Sequence, residues 1–342
     1  MLYIEPNAGV QPVLQIIRDA RRELDIGVYY LNDRKILAAL ANAQERGVRV
    51  RVIIAAKPYG MKPWQVQKEE RAIAATGVQW KTAPYRFTSH GEHYAFYHAK
   101  YCANGHEAEI GSANFSWSAF HHNREYLYVT RDPAIVSAVH AVFDADWDNR
   151  RAPQESAERL VLSPGHSLGP ILDVIRQPGA IAIESEELGP YRPILDALAA
   201  KGSELRLLLP ATLNPDDLQN VELLRQHGCQ VRFLPSKPLY LHAKMIVGTN
   251  LAFVGSENFS QTSLEDNREM GVLLRSAAVS TLQQQFDADW QQGQEHPEHA
   301  AQTPASDTHH LPNGMGWAIG KAVVEGGRLV VDAAGDALRH AR

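Results

Sequence analysis

Three short blocks of this chain occur twice at one spacing, and a repeated set of that kind decides the architecture before any single residue is read. His98-Ala99-Lys100 returns as His242-Ala243-Lys244, Gly111-Ser112-Ala113-Asn114-Phe115-Ser116 returns as Gly255-Ser256-Glu257-Asn258-Phe259-Ser260, and Asn123-Arg124-Glu125 returns as Asn267-Arg268-Glu269, each 144 positions later. Phe143-Asp144-Ala145-Asp146-Trp147 recurs as Phe286-Asp287-Ala288-Asp289-Trp290 at 143 positions, so one residue is lost between the blocks. The chain is a duplication, and its 342 residues suit two domains of ordinary size. The expected division is 1–150 and 151–291, joined at the polar stretch Arg150 to Ser156, with 292–342 as a linker and short C-terminal extension. In that extension Pro, His, Gln, Ser and Thr dominate up to Pro312, and two apolar runs about Gly326-Gly327 then read as a hairpin.

The flanks repeat in hydrophobic pattern only. Residues 13–24 put Val13, Ile16, Ile17, Ala20 and Leu24 on one helical face, as Ile171, Leu172 and Ile175 do in the second half. Ile26 to Tyr30 reads as a strand answering Ile181 to Ser185; a helix from Ile36 to Gln44 ending near Gly47 and a buried strand from Val48 to Ile54 follow. Leu195 to Leu209 repeats that order. Asp132 caps and Pro133 opens a helix whose inward face is Ile135, Val136, Val139, Val142, Phe143 and Trp147. Strands alternate with helices throughout, so the expected class is α/β, two units each built as a sheet flanked by helices.

Composition narrows the function classes. With 44% hydrophobic and 21% charged residues the chain is globular, which excludes disordered, collagenous and coiled-coil classes. Its net charge of −5 gives no global reason to bind nucleic acid, and no apolar run reaches the roughly 18 residues a transmembrane helix needs. Two cysteines, Cys102 and Cys229, build no disulfide framework. The start, Met1-Leu2-Tyr3-Ile4-Glu5-Pro6, lacks the basic and apolar regions of a signal peptide, so the expected location is cytoplasmic, or extracytoplasmic if a leader was removed.

The repeated residues carry the chemistry. In a strand, His and Lys two apart point to one face, and a lysine among apolar neighbours needs an anion, since burying an unpaired ammonium costs several kcal/mol. Eleven residues after each lysine begins Gly-Ser-x-Asn, which offers close backbone approach, a hydroxyl and a carboxamide, donors suited to the oxygens of an anion. No cysteine pair or acidic cluster joins the repeated set, so neither a metal nor another cofactor is expected.

His-x-Lys followed by Gly-Ser-x-Asn, present twice, resembles the phospholipase D superfamily, and the likeness covers most of residues 1–290. The resemblance implies two duplicated α/β sandwich domains packed about a pseudo-twofold axis, with both motifs meeting in one active site. It further implies that one histidine attacks phosphorus to give a phosphohistidine while the other protonates the leaving alcohol, with His98 as the nucleophile and His242 as acid and then base. Lys100, Lys244, Asn114 and Asn258 would hold the phosphoryl oxygens, with Ser112 and Ser256 beside them, and Glu125 and Glu269 would accept from the histidines' second ring nitrogens. The superfamily's usual aspartate five residues after the lysine is replaced by Gly105 and Thr249, as in families resembling tyrosyl-DNA phosphodiesterase.

For the substrate, Arg49 to Lys100 holds nine basic residues against three acidic, and Tyr59, Trp64, Trp80, Tyr85, Phe87, Tyr94 and Phe96 are spread through it. Such a segment suits a lipid headgroup at a membrane surface and equally the stacked bases of a single strand. The favoured reading is a monomeric phosphodiesterase acting on phospholipids by hydrolysis or headgroup transfer. A nuclease or DNA-end-processing phosphodiesterase is the alternative, and a catalytically inactive phosphate-binding protein a third.

Overall fold

The computed structural model describes residues 1–298 and, beyond them, the strands Ala322–Glu325 and Arg328–Val331. These two strands pair antiparallel, Val323 opposite Val330, in keeping with the hairpin reading. The expected linker is corrected at its start, since Gln292 closes the helix Ala277–Gln292, Gln294 bridges to Phe233 and Glu298 accepts from Ser236; its remainder from residue 299, and Gly326-Gly327, lie outside the described residues.

Two sheets carry the fold, and their strand orders match. The first runs Leu2–Glu5, Asn123–Thr130, Ala108–Gly111, Lys100–Asn104, Glu23–Val28, Arg49–Ile54, Gln79–Thr82. The second runs Val161–Ser163, Glu269–Leu274, Ala252–Gly255, Lys244–Val247, Ile181–Ser185, Leu205–Pro210, Gln230–Leu234. In each, the last three strands are parallel to one another, as strands joined through helices must be, and the other pairings are antiparallel.

Period-2 alternation sends neighbouring residues of a strand to opposite cores. Cys102 faces a cluster with Ile16, Ile17, Ile36 and Leu40 from the helices Gln11–Asp19 and Arg34–Glu45, whereas Tyr101 and Ala103 face a second cluster with Val139 and Phe143 of the helix Pro133–Trp147. In the second half Ile246 joins one core with Ile171 and Leu195, while Met245 and Val247 join the cluster that holds Tyr101. That shared cluster, which also contains Tyr126 and Met270, makes the two halves one body.

Local signals set the helix limits. Asp33 accepts from the amides of Lys35 and Ile36 and so starts its helix, Gly47 takes the left-handed φ of +81° just past that helix's end, and Asp132 accepts from Ala134. Leu24 departs from the expectation. The first helix stops at Asp19, and Leu24 lies buried in the strand Glu23–Val28, facing the same core from the sheet side. The polar join also folds in part, as the short helix Gln154–Ala157.

The halves are sewn together crosswise. Arg124 reaches Asp289 in the last helix of the second half at 2.7 and 2.9 Å, and Arg268 reaches Asp146 in the corresponding helix of the first at 2.8 and 3.0 Å. All four side chains are buried. Further bonds cross beside these pairs: the Arg268 carbonyl accepts from the amides of His98 and Ala99, and the strand Tyr240–Leu241 pairs in parallel with Asn123 and Arg124. Among the described residues no helix is long and apolar enough to cross a membrane.

Candidate active site

Each histidine sits where its chain crosses to the other half. His98 and His242 fall just before the strands that begin at Lys100 and Lys244 rather than inside them, because their amides serve the partner half's Arg268 and Arg124 carbonyls instead of a sheet ladder. Their glutamates come from across the interface. His98 Nδ1 lies 2.9 and 3.0 Å from the Glu269 carboxylate, and His242 Nδ1 lies 2.7 Å from Glu125 Oε1. Sequence reasoning names both glutamates without revealing this exchange.

The serines serve the glutamates. Ser112 Oγ donates to Glu125 Oε2 and Ser256 Oγ to Glu269 Oε2, both at 2.6 Å, so each hydroxyl is taken up by a protein carboxylate, which corrects the expectation that they stand beside the phosphoryl oxygens. The reason is the sheet register: each serine follows a strand-ending glycine that abuts the strand carrying its glutamate. A Cβ on Gly111 would run into the Tyr126 carbonyl, and one on Gly255 into Gly271, so the close approach needs glycine there. Asn123 Nδ2 donates to Glu125 at 3.0 Å, and Asn267 Nδ2 to Glu269 at 2.9 Å, so Asn-Arg-Glu is a buried brace.

Electrostatics then fix the tautomer of His98. Burial alone would raise Glu269, but His98, Lys100 and the Ser256 hydroxyl outweigh it and hold the carboxyl below its usual range. An ionised Glu269 can only accept, so His98 carries its proton on Nδ1. Burial, helped by Lys100 and opposed by Glu269, pushes the His98 pKa down to about 4, leaving a neutral ring with its lone pair on Nε2.

The lysines differ. Lys100 is fully buried; its Nζ donates to the His98 carbonyl and stands 5.2 Å over the Tyr29 ring, and burial, reinforced by Lys244 against the pull of Glu269, lowers it to about 7. Lys244 Nζ donates to the His242 carbonyl at 2.7 Å and to Glu186 Oε2 at 2.6 Å. Glu186 is the anion that a buried lysine calls for, and sequence reasoning does not name it. Burial would raise its pKa, yet His242 and Lys244 hold it well below the usual carboxylate range. Asn114 and Asn258 are buried at the ends of their motifs, each with an amide oxygen lacking a partner among the described residues.

The aromatic and basic segment divides. Phe87 and Phe96 are core, Trp80 is half-buried, and Trp64, Tyr85 and Tyr94 are exposed, as are Lys57, Lys62, Lys68 and Arg71. No group of three or more His, Cys, Asp or Glu side chains among the described residues could hold a metal ion.

A family model described as cardiolipin synthase, phospholipase D-like domain, matches residues 13–147 and 183–290, more than half of the chain. The chain belongs to the phospholipase D-like family. Members of the superfamily are phosphodiesterases and phospholipid-modifying enzymes. Among solved structures, polyphosphate kinase from Porphyromonas gingivalis superposes with a TM-score of 0.64 at 14% identity over 89% of this chain and 53% of that one. This phospholipase D-like chain therefore spans about half the kinase's length. Phosphatidylserine synthase from Haemophilus influenzae Rd KW20 superposes with a TM-score of 0.62 at 12% identity, over 84% of this chain and 85% of that one. Both likenesses are of fold, and no curated protein sequence matches the chain.

Proposed function

We propose that this phospholipase D-like protein is a phosphodiesterase that works through a covalent histidine intermediate, with His98 as nucleophile and His242 as acid and base. The observation that carries it is the crosswise pair of buried His–Glu contacts beside two buried lysines. His98 Nε2 forms a bond to phosphorus as the bond to the leaving oxygen breaks, and that oxygen takes the proton from His242 Nε2. Water then gives a proton back to His242 while its oxygen attacks phosphorus and the phosphorus–nitrogen bond breaks, which restores both rings. Lys100 and Lys244, with the carboxamides of Asn114 and Asn258, offset charge on the non-bridging oxygens.

Phospholipid is the favoured substrate class, supported by the family model's cardiolipin synthase description and by the exposed Trp64, Tyr85 and Tyr94 in a basic segment, amphipathic groups suited to a headgroup layer. Purified protein incubated with labelled phosphatidyl lipids and, separately, with single-stranded and duplex DNA tests this. Release of headgroup or formation of a transfer product is expected; cleavage of DNA alone moves the assignment to a nuclease, and turnover of neither supports an inactive binding protein.

A further inference from the structure

The two halves differ at one structurally equivalent place beside the histidines. Val28 lies opposite Lys100 in the first sheet and Ser185 opposite Lys244 in the second, so the residues that follow, Tyr29 and Glu186, occupy matching positions at their strand ends. Tyr29 sets its ring edge-on to His98, with centroids 4.8 Å apart, and its hydroxyl accepts from the Tyr59 amide at 2.6 Å. Glu186 puts Oε2 2.6 Å from Lys244 Nζ and 3.4 Å from His242 Nε2, and the Tyr240 hydroxyl donates to its Oε1 at 3.4 Å. Glu125 Oε1 therefore stands 2.7 Å from Nδ1 of His242, where Lys244 Nζ also lies at 3.4 Å, and Glu186 Oε2 stands 3.4 Å from Nε2, so a proton carried on Nε2 has a carboxylate oxygen beside it. Among the described residues no second carboxylate pairs with His98, and the Tyr29 ring packs edge-on against that imidazole in the matching place.

We propose that Glu186 is the positioning residue that breaks the equivalence of the two histidines, holding a proton on Nε2 of His242 for delivery to the leaving group and leaving His98 as the nucleophile. This rests on the phosphodiesterase reading above. Glu186 acts through His242 and Lys244 and forms no bond to substrate. Its side chain, 12% exposed, sits between the two donors that would flank the leaving oxygen, so the arriving diester takes over the Nε2–H while Lys244 stays charged beside it.

The test exploits leaving groups that differ in their need for that proton. Nitrophenolate departs unaided near neutral pH, whereas phenol, with a pKa near 10 as in tyrosine, does not. Wild-type protein and Glu186→Gln are compared on bis(4-nitrophenyl) phosphate and diphenyl phosphate. The expected result is a loss of about tenfold or more on diphenyl phosphate against less than about threefold on the nitrophenyl diester, in line with the general worth of a positioned acid. A cooperative unfolding transition like that of the wild-type protein certifies that the variant is folded. Equal losses on both, or no loss on either, overturn the proposal. If the variant shows no cooperative unfolding transition, Glu186→Asp, which keeps the charge one methylene out of reach, is read the same way. Failure of the wild-type protein to cleave either diester instead defeats the phosphodiesterase reading, which separates the two claims.

Discussion

The two halves share strand order, serine–glutamate bond, asparagine brace and interfacial arginine, yet their lysines live in different surroundings. Lys100 is dry, bonded to a carbonyl and set over an aromatic ring, while Lys244 is neutralised by a carboxylate. The neighbouring residues diverge in the same sense: Ala113 follows Ser112, but after Ser256 comes the fully buried Glu257, whose carboxyl has no partner among the described residues and is pushed well up by burial. Duplication fixes what both copies must do, which is to cross the interface and hold a histidine. Division of labour then needs few changes, and they fall at the strand ends, where substitution leaves the sheet intact.

Removing a histidine should break the comparison most. His98→Ala is expected to lower turnover by about 10⁴-fold or more and to leave no covalent adduct, since nucleophile and orienting unit act together; rapid-quench assays check this, and residual turnover within tenfold of wild type would defeat the nucleophile assignment. Next come the interfacial pairs. Asp146→Ala strands Arg268 without its carboxylate, also deprives Arg86 of a partner, and should cost about 3–5 kcal/mol in chemical denaturation, with Asp289→Ala behaving alike through Arg124. Because Asp146 also serves Arg86, Asp289→Ala should cost no more than Asp146→Ala, and a larger cost would show that the halves do not bear on each other symmetrically.

Glu269→Gln should reduce kcat by roughly 10²-fold with little change in KM, because an amide can present its Nε2 to His98 and favour the wrong tautomer. The pH profile sharpens the contrast further. As pH falls through about 4, His98 gains a proton and loses its lone pair; as pH rises through about 7, Lys100 loses its charge, so kcat/KM should trace a bell between those limbs. Lys100→Arg keeps its charge at every relevant pH and should lose the alkaline limb. The smallest effect is none: turnover should survive EDTA, since two lysines supply the positive charge. Loss on chelation, restored by a divalent ion, would contradict that.

Much of this arrangement is legible in the sequence, and what is not has an identifiable cause. The repeats expose both His-x-Lys pairs, both asparagines and both glutamates, because each copy vouches for the other. Helix limits follow from Asp33, Gly47 and Asp132 as local propensity dictates. Glu186 escapes because hydrophobic matching aligns Ile26 to Tyr30 with Ile181 to Ser185, two residues away from the register the sheets adopt, and so pairs Ser185 with Tyr30. Lys100 follows Val28 by 72 positions but Lys244 follows Ser185 by only 59, and the longer first half spends part of the excess on the hairpin Thr88–His90 and His93–Phe96. The exchange of glutamates is likewise invisible to motif spacing, since it depends on how two sheets meet. Ser112 and Ser256 mislead for a related reason: a hydroxyl beside a buried carboxylate bonds to it, and only the strand register reveals that neighbour.

The central claim is that one histidine of a crosswise pair becomes covalently modified while the other only moves protons. Replacing His242 by Asn removes the base that must take a proton from water, so the intermediate should accumulate once formed. The variant, mixed with the substrate that wild-type protein turns over, is quenched and digested above neutral pH, where a phosphorus–nitrogen bond survives, and its peptides are weighed. The account predicts the adduct on the peptide carrying His98; an adduct on any other residue, or none at all while wild-type protein remains active on that substrate, would contradict it.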